Sequence, residues 1–309
     1  MKTLANHLDD YLALRRQLGF KLDSAARYLR HFIRFMEKRH AAVITTKLAL
    51  KWATQAPEIQ PVQKANRLGI VRRFAQYVCA IDPKTEVPPR KLLPYQCRRR
   101  DPYVYRVAEV AQLMKAARRI DPTSPIKGAS YATFIGLMAV TGLRPSEALG
   151  LDREDVDLVR SVLTVRYGKG GKSRLVPIHP STREALQSYA VLRDEVFPRP
   201  SCAGFLVSER GTRLFYWSVN HWFRMVACHI GLRQPGHRQG PRLHDLRHHF
   251  AIQTMLHWYR SKTDVETHLP ELSTYLGHAH ARDTYWYLSA VPELLQLATR
   301  RCQKMEGRP

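Results

Sequence analysis

The sequence predicts a mainly α-helical protein with a small antiparallel β-sheet, an α+β chain in two domains. Three observations predict it. Apolar residues recur at helical spacing over most of the chain, and residues 161–178 read instead as a β-hairpin. A stretch rich in Pro and Arg near residue 100 separates a strongly basic first third from the rest. No βαβ alternation and no Gly-rich phosphate loop appears, so the sheet is expected to be small and antiparallel.

The 309 residues carry 50 Lys and Arg against 26 Asp and Glu, a formal net charge of +24. That length suits two domains of about 100–200 residues each. A hydrophobic content of 44% supplies packed cores and excludes disorder throughout. The longest apolar stretch, Tyr131 to Leu143, is shorter than the roughly 18–20 residues that span a membrane, so no membrane partner is expected. The opening Met1-Lys2-Thr3 leads into a polar amphipathic segment unlike a secretory signal. Five scattered cysteines contain no C-x-x-C, which disfavours a disulfide framework or a structural zinc and fits a reducing cytoplasm. A basic cytoplasmic protein has nucleic acid as its first expected partner.

Residues 1–103 hold 21 Lys and Arg against 8 Asp and Glu, about twice the net charge per residue of the remainder. This segment reads as four short amphipathic helices. In the second, Asp23-Ser24 offers an N-cap and Ala25, Leu29, Phe32, Ile33 and Met36 form the apolar face, while Arg27, Arg30, Arg34 and Lys38 make a separate stripe. The fourth starts near Pro61, buries Ile70, Val71, Phe74 and Val78, and carries Lys64, Arg67, Arg72 and Arg73 elsewhere on its surface. A single such stripe reads as a solvated face. Two stripes in a domain with few acids point to a phosphate-facing surface. Residues 82–103 then hold Asp82-Pro83, Pro88-Pro89, Pro94 and Asp101-Pro102, with Arg98, Arg99 and Arg100 suited to strap a phosphate backbone. The expected division is a helical domain at 1–97, a basic linker at 98–104 and a second domain at 105–309.

In the second domain, Val107–Ile120, Ser130–Val140 and Thr182–Val196 read as helices. The hairpin runs Val162–Tyr167, turns at Gly168-Lys169-Gly170-Gly171 and returns through Arg174–Ile178. Gly204–Val207 reads as a short strand, and helices dominate after Ser218. Beyond Tyr287, Val291, Leu295, Ala298, Cys302 and Met305 share a helical stripe, which suits either packing on the same domain or docking into a neighbour.

Six polar residues stand where chemistry is possible. Arg144 follows an apolar helix, in Thr141-Gly142-Leu143-Arg144-Pro145-Ser146-Glu147. Lys169 sits at the tip of the hairpin. His244 and Arg247 are three apart, His278 follows Leu276-Gly277, and Tyr287 lies beyond it in Thr284-Tyr285-Trp286-Tyr287-Leu288. Taken singly, each has a plain structural role: an Arg144–Glu147 salt bridge, a solvated Lys169, a helix-capping His278, a core Tyr287. His244 and His248 at i, i+4 lack the H-E-x-x-H pattern and further ligands of a zinc site, so no metal is expected. Taken together, they form a phosphoryl-transfer set. Paired guanidiniums neutralise non-bridging oxygens as a metal would, a tyrosine hydroxyl is a covalent nucleophile, and a lysine on a hairpin delivers a proton to the leaving 5′ oxygen.

The ordered boxes Thr141–Leu151, Gly168–Pro177, His244-Asp245-Leu246-Arg247-His248 and Leu276-Gly277-His278 followed by Tyr287 resemble the tyrosine recombinase (phage integrase) family. The resemblance is strong over about residues 104–290 and one of type over residues 1–95. It implies an N-terminal helical core-binding domain that clamps DNA, followed by a tyrosine recombinase catalytic domain. Arg144 and Arg247 would clamp the scissile phosphate, Lys169 would be the general acid, His244 would assist proton transfer, and His278 would position the phosphate. Tyr287 would attack to form a 3′-phosphotyrosyl link, and Glu147 would brace the first arginine. Rejoining would then need neither ATP nor a metal, and no cofactor is expected. The implied partners are double-stranded DNA at a specific site and further copies of the chain, as a tetramer on DNA, alone or beside companion recombinases.

Two features depart from compact members of the family. The chain runs 31 residues from Arg247 to His278. Tyr285 also offers a second hydroxyl. Two residues along a helix turn a side chain by about 200°, so one of the pair faces the phosphate, and the interval from His278 selects Tyr287. The Thr-Tyr-Trp-Tyr-Leu string and the longer interval resemble a transposon-associated branch. A DNA-relaxing type IB topoisomerase and a non-cutting DNA-binding regulator on the same fold are the alternatives.

Overall fold

The computed structural model describes residues 3–95, 101–119, 121–168, 171–236, 240–261, 263–278, 280, 282–290 and 293–299, with backbone alone at 288–290. The chain divides into two compact units, residues 1–100 and 101–309.

The first unit is built from α1 (Leu4–Gln17), α2 (Asp23–Glu37), α3 (Thr46–Thr54) and α4 (Pro61–Cys79). Thr3 and Thr45 cap α1 and α3 by accepting from the Asn6 and Leu48 amides, and Pro61 opens α4 where its missing N–H costs nothing. The four helices close on Leu12, Leu29, Phe32, Trp52, Val71 and Phe74, all buried, with Phe32 edge-on to Trp52 at 5.3 Å.

Two sequence expectations for α2 need correction. Neither Asp23 nor Ser24 caps it: the helix starts at Asp23, and Leu22 precedes it in a left-handed conformation with no side-chain cap. Ala26 rather than Ala25 joins the buried face. The basic stripe stands as expected, with Arg27, Arg30, Arg34 and Lys38 exposed. On α4, Arg73 is exposed and Lys64, Arg67 and Arg72 are half-buried. Arg67 lies over the Trp52 ring at 4.4 Å, so packing claims much of its side chain.

The second unit begins with α5 (Val107–Arg118), α6 (Pro125–Thr141) and α7 (Pro145–Gly150). A 3-10 turn at Arg153–Asp155 leads to β1 (Val156–Asp157), β2 (Val162–Val165) and β3 (Arg174–Pro177), an antiparallel sheet in that order. Val162 pairs Pro177 and Val165 pairs Arg174, so the hairpin closes from Gly168 to Lys172. Then follow α8 (Pro180–Val196), α9 (Tyr216–His229), α10 (Asp245–Arg260), α11 (Val265–Leu276) and α12 (Arg282–Ala290). The expected strand at Gly204–Val207 is absent. Gly204 and Val207 make only isolated bridges, to Asp152 and Arg213.

One core of this unit gathers α5, α6, α8, α9 and the sheet, with Tyr131 stacked on Trp222 at 4.2 Å. A second gathers α10, α11 and α12 around Ile252, Met255, Leu276 and Tyr287. The long interval between Arg247 and His278 is thus filled by α10, a short turn and α11, which accommodates Pro270 inside it. Residues 293–299 are helical, and Leu294 and Leu297 pack on this second core while Leu295 is 53% exposed. The stripe expected through Leu295 is therefore displaced by one residue. Val291, Pro292, Cys302 and Met305 lie outside the described residues, as do Arg98, Arg99, Arg100 and Lys169. No described helix is long and apolar enough to cross a membrane.

Candidate active site

Two glycines build the frame. Gly142 ends α6 and Gly277 ends α11, both in the left-handed conformation that L side chains resist. A Cβ on Gly142 would lie 2.5 Å from Phe250 Cδ1, and one on Gly277 would lie 3.0 Å from Arg174 Nη1. The reversed chain exposes carbonyl oxygens, and arginines take them. Arg247 donates through Nη1 to Gly142 O at 2.8 Å and through Nη2 to Leu276 O at 2.7 Å. Arg144 donates through Nη2 to Gly277 O at 2.9 Å. Both guanidiniums are thereby tied to the Gly277 turn, Arg247 to the Gly142 turn as well, and each carries more N–H donors than these contacts use.

Arg144 is also the N-cap residue of α7. Its amide donates to Glu147 Oε2 at 3.0 Å and its Nη1 to Glu147 Oε1 at 2.7 Å. Glu147 receives a second guanidinium from β3: Arg174 Nη1 meets Oε1 at 3.1 Å and Nη2 meets Oε2 at 2.9 Å, while its Nε holds Tyr275 O at 2.8 Å. Burial alone would raise the Glu147 pKa, but the Arg174 hydrogen bonds, the Arg144 amide and both positive charges bring it down to about 2. Glu147 is therefore a fixed anion between two fixed cations.

Arg247 is 1% exposed, and burial followed by the charge of Arg144 lowers its pKa to about 10. It stays a cation at neutral pH. A second anion brought to this point would relieve the crowding of positive charge, which is the electrostatic condition for phosphate capture. His244 precedes α10 as its N-cap residue, with Arg247 in the first turn. Loss of water from its surroundings, then the charge of Arg247, pulls its pKa to about 4, although the residue still meets solvent. It is neutral at pH 7.

His278 follows Gly277, and its Nδ1 lies 2.7 Å from the Thr284 hydroxyl of α12. Its ring stacks near Tyr287, with centroids 6.3 Å apart. Tyr287 is 2% exposed, and its hydroxyl lies 3.1 Å from His248 Nδ1. Tyr285, two residues earlier, is 47% exposed. The helical turn thus separates the two hydroxyls as the spacing argument expects.

The structure gathers Arg144, Glu147, Arg247, His278 and Tyr287 through α6, α7 and α10–α12, with His244 beside Arg247 and 4.9 Å ring-to-ring from His248. The basic residues of α2 and α4 belong to the other unit. Among the described residues no group of three His, Cys, Asp or Glu is placed to hold a metal ion. Three site residues had no assigned role in the sequence reading. Arg174 stood inside the hairpin string, His248 at the end of the His244–His248 box, and Thr284 before the two tyrosines. The i, i+4 spacing from His244 marks His248, but as a metal ligand rather than as a partner of Tyr287. The Arg174–Glu147 pair joins distant segments and left no local signal.

The phage integrase family model matches residues 104–293. "Putative integrase/recombinase y4rB" of Sinorhizobium fredii is 41% identical, over 98% of this chain and 98% of that protein. Tyrosine recombinase XerD of Mycobacterium tuberculosis is 30% identical over 93% of this chain and 94% of its own. Among solved structures, the Tn1549 transposon integrase in complex with transposon right end DNA has a TM-score of 0.69 at 13% identity, covering 99% and 100% of the two chains. XerH site-specific recombinase bound to a palindromic difH substrate has a TM-score of 0.62 at 20% identity, covering 90% of this chain and 78% of XerH. At such identities the likeness is one of fold.

Proposed function

The chain belongs to the phage integrase family, and from that premise we propose that it is a site-specific DNA recombinase working through a phosphotyrosine. Arg144 and Arg247 hold the non-bridging oxygens of the scissile phosphate, and His278 adds a hydrogen bond to them. The Tyr287 oxygen attacks phosphorus as the bond to the 5′ oxygen breaks, leaving a 3′-phosphotyrosyl link and a 5′-hydroxyl. Lys169 supplies the proton to the leaving oxygen, with neutral His244 assisting the transfer. The 5′-hydroxyl of a partner strand then attacks the link, so the phosphodiester energy is conserved and neither ATP nor a metal is required.

One observation carries this reading: two guanidiniums anchored on the carbonyls of adjacent turns stand in one cluster with a tyrosine and two histidines. Fixed donors of this kind stabilise transition-state charge without reorganising. The exposed basic stripe of α2 and the cations of α4 supply affinity for the backbone. DNA as the partner and assembly as a tetramer on it are supported by neighbours of the same fold, among them the XerH complex and a lambda integrase tetramer bound to a Holliday junction. The division into a DNA-clamping domain at 1–97, a linker at 98–104 and a catalytic domain at 105–309 is part of the same proposal.

The test is a duplex that the protein itself selects from a randomised pool, nicked beside the cleavage position so that the 5′ product diffuses away. A covalent protein–DNA adduct should accumulate in EDTA and disappear with Tyr287→Phe. No adduct on a selected site, or an adduct undiminished in Tyr287→Phe, would overturn the assignment.

A further inference from the structure

We propose that His248 is the proton acceptor for the Tyr287 hydroxyl, an inference that rests on the phosphotyrosine reading above. A phenol with a pKa near 10 is a poor nucleophile at pH 7 until its proton is drawn off. Among the histidines around Tyr287, His248 places a ring nitrogen on the hydroxyl, with Nδ1 3.1 Å from the oxygen. His278 stacks near the tyrosine ring, with centroids 6.3 Å apart, and its Nδ1 is engaged by Thr284 at 2.7 Å. His244 contacts the His248 ring edge-on at 4.9 Å, and its own place is beside Arg247.

The setting suits the task. His248 is 6% exposed, within hydrogen-bonding reach of a hydroxyl that is itself buried. Trp286 and Tyr287 pack their rings on it at 5.5 Å and 5.3 Å, both edge-on or tilted, which fixes the imidazole in place. The first turn of α10 carries His248 one residue after Arg247, so the base and the phosphate clamp move as one rigid element.

The step balances. As the Tyr287 oxygen bonds to phosphorus, its proton passes to His248 Nδ1 and the phosphorus–5′ oxygen bond breaks, with that oxygen taking a proton from the acid. On rejoining, a 5′-hydroxyl attacks phosphorus and gives its proton back to Lys169, the phosphorus–tyrosine bond breaks, and His248 returns its proton to the departing phenolate.

The experiment compares two selected duplexes that differ at one atom, an ordinary phosphodiester and a 5′-phosphorothiolate at the cleavage position. A sulfur leaving group needs no protonation, so only defects in nucleophile activation persist on the second substrate. Single-turnover cleavage at saturating protein is measured for the wild type and His248→Asn, whose amide can hydrogen-bond the hydroxyl but cannot take its proton. The expected result is a loss of about 100-fold or more on both substrates. Equal cleavage by the variant, or a defect rescued by sulfur, overturns the proposal. Wild-type cleavage of the thiolate should also be slower in D2O, and equal rates in H2O and D2O would contradict it whatever the variant does. A wild type that cuts neither duplex would instead refute the phosphotyrosine reading.

Discussion

Arg174 grips Glu147 with both terminal nitrogens, at 3.1 Å to Oε1 and 2.9 Å to Oε2, and shares Oε1 with Arg144 Nη1. The pair ties β3 to the start of α7, and Arg174 Nε ties both to α11 through Tyr275 O. Three segments far apart in sequence are therefore registered by one guanidinium.

Removing it should be costly. Arg174→Ala leaves Glu147 buried with one cation, and breaking one side of a buried pair costs about 3–5 kcal/mol. Chemical denaturation should show a destabilisation of that order. Single-turnover cleavage should fall as well, because Arg144 then leans on a carboxylate free to shift. Arg174→Lys should recover only part of both, since an ammonium cannot meet two oxygens at once.

Acid should loosen the same joint. The Glu147 pKa falls from an ordinary 4.5 to about 2 on folding. A depressed carboxylate contributes stability that is fully present above the unfolded pKa and is lost as pH falls through the folded one. The stability difference between the wild type and Glu147→Gln should be level above about pH 5 and shrink steadily toward pH 2, by roughly 3 kcal/mol in all. A difference unchanged across that range would contradict the charge assignment.

His244 should titrate low. Partial desolvation and the Arg247 charge draw its pKa down to about 4 in the free protein, although its surface still meets solvent. Between that value and an ordinary histidine pKa the unfolded chain binds a proton that the folded chain refuses, so acid in this window weakens folding through this residue. NMR titration should place the His244 midpoint below 5, and Arg247→Ala should move it upward.

Binding and chemistry should separate between the two units. Arg27→Ala, Arg30→Ala and Arg34→Ala should each weaken DNA binding and lower the slope of log affinity against log salt, by about 0.9 for each phosphate no longer neutralised. Cleavage at saturating protein should be unchanged. Arg247→Ala should do the reverse, losing cleavage with most affinity retained.

Much of this was legible in the chain. The four helices of the first unit followed from apolar spacing, and the hairpin from alternation around a glycine-rich turn. The Gly142 and Gly277 turns were visible as glycines after apolar helices, and they place Arg144 and His278. What escaped has a physical reason. The start of α2 is not legible in the chain because Leu22, a residue that disfavours a left-handed conformation, adopts one ahead of the helix. The tail stripe slipped by one residue because Leu294 rather than Leu295 finds the α10–α12 core. Arg174 and His248 act through partners distant in sequence, and the anchors of Arg247 are carbonyls, which every residue possesses and no motif marks.

The central claim is that the DNA is held on one particular oxygen. Peptide mapping of the trapped adduct by mass spectrometry tests it most directly: the nucleotide should reside on Tyr287, in protein prepared and reacted in EDTA. A nucleotide on Tyr285 or any other residue, or an adduct that forms only when magnesium is supplied, would contradict the account.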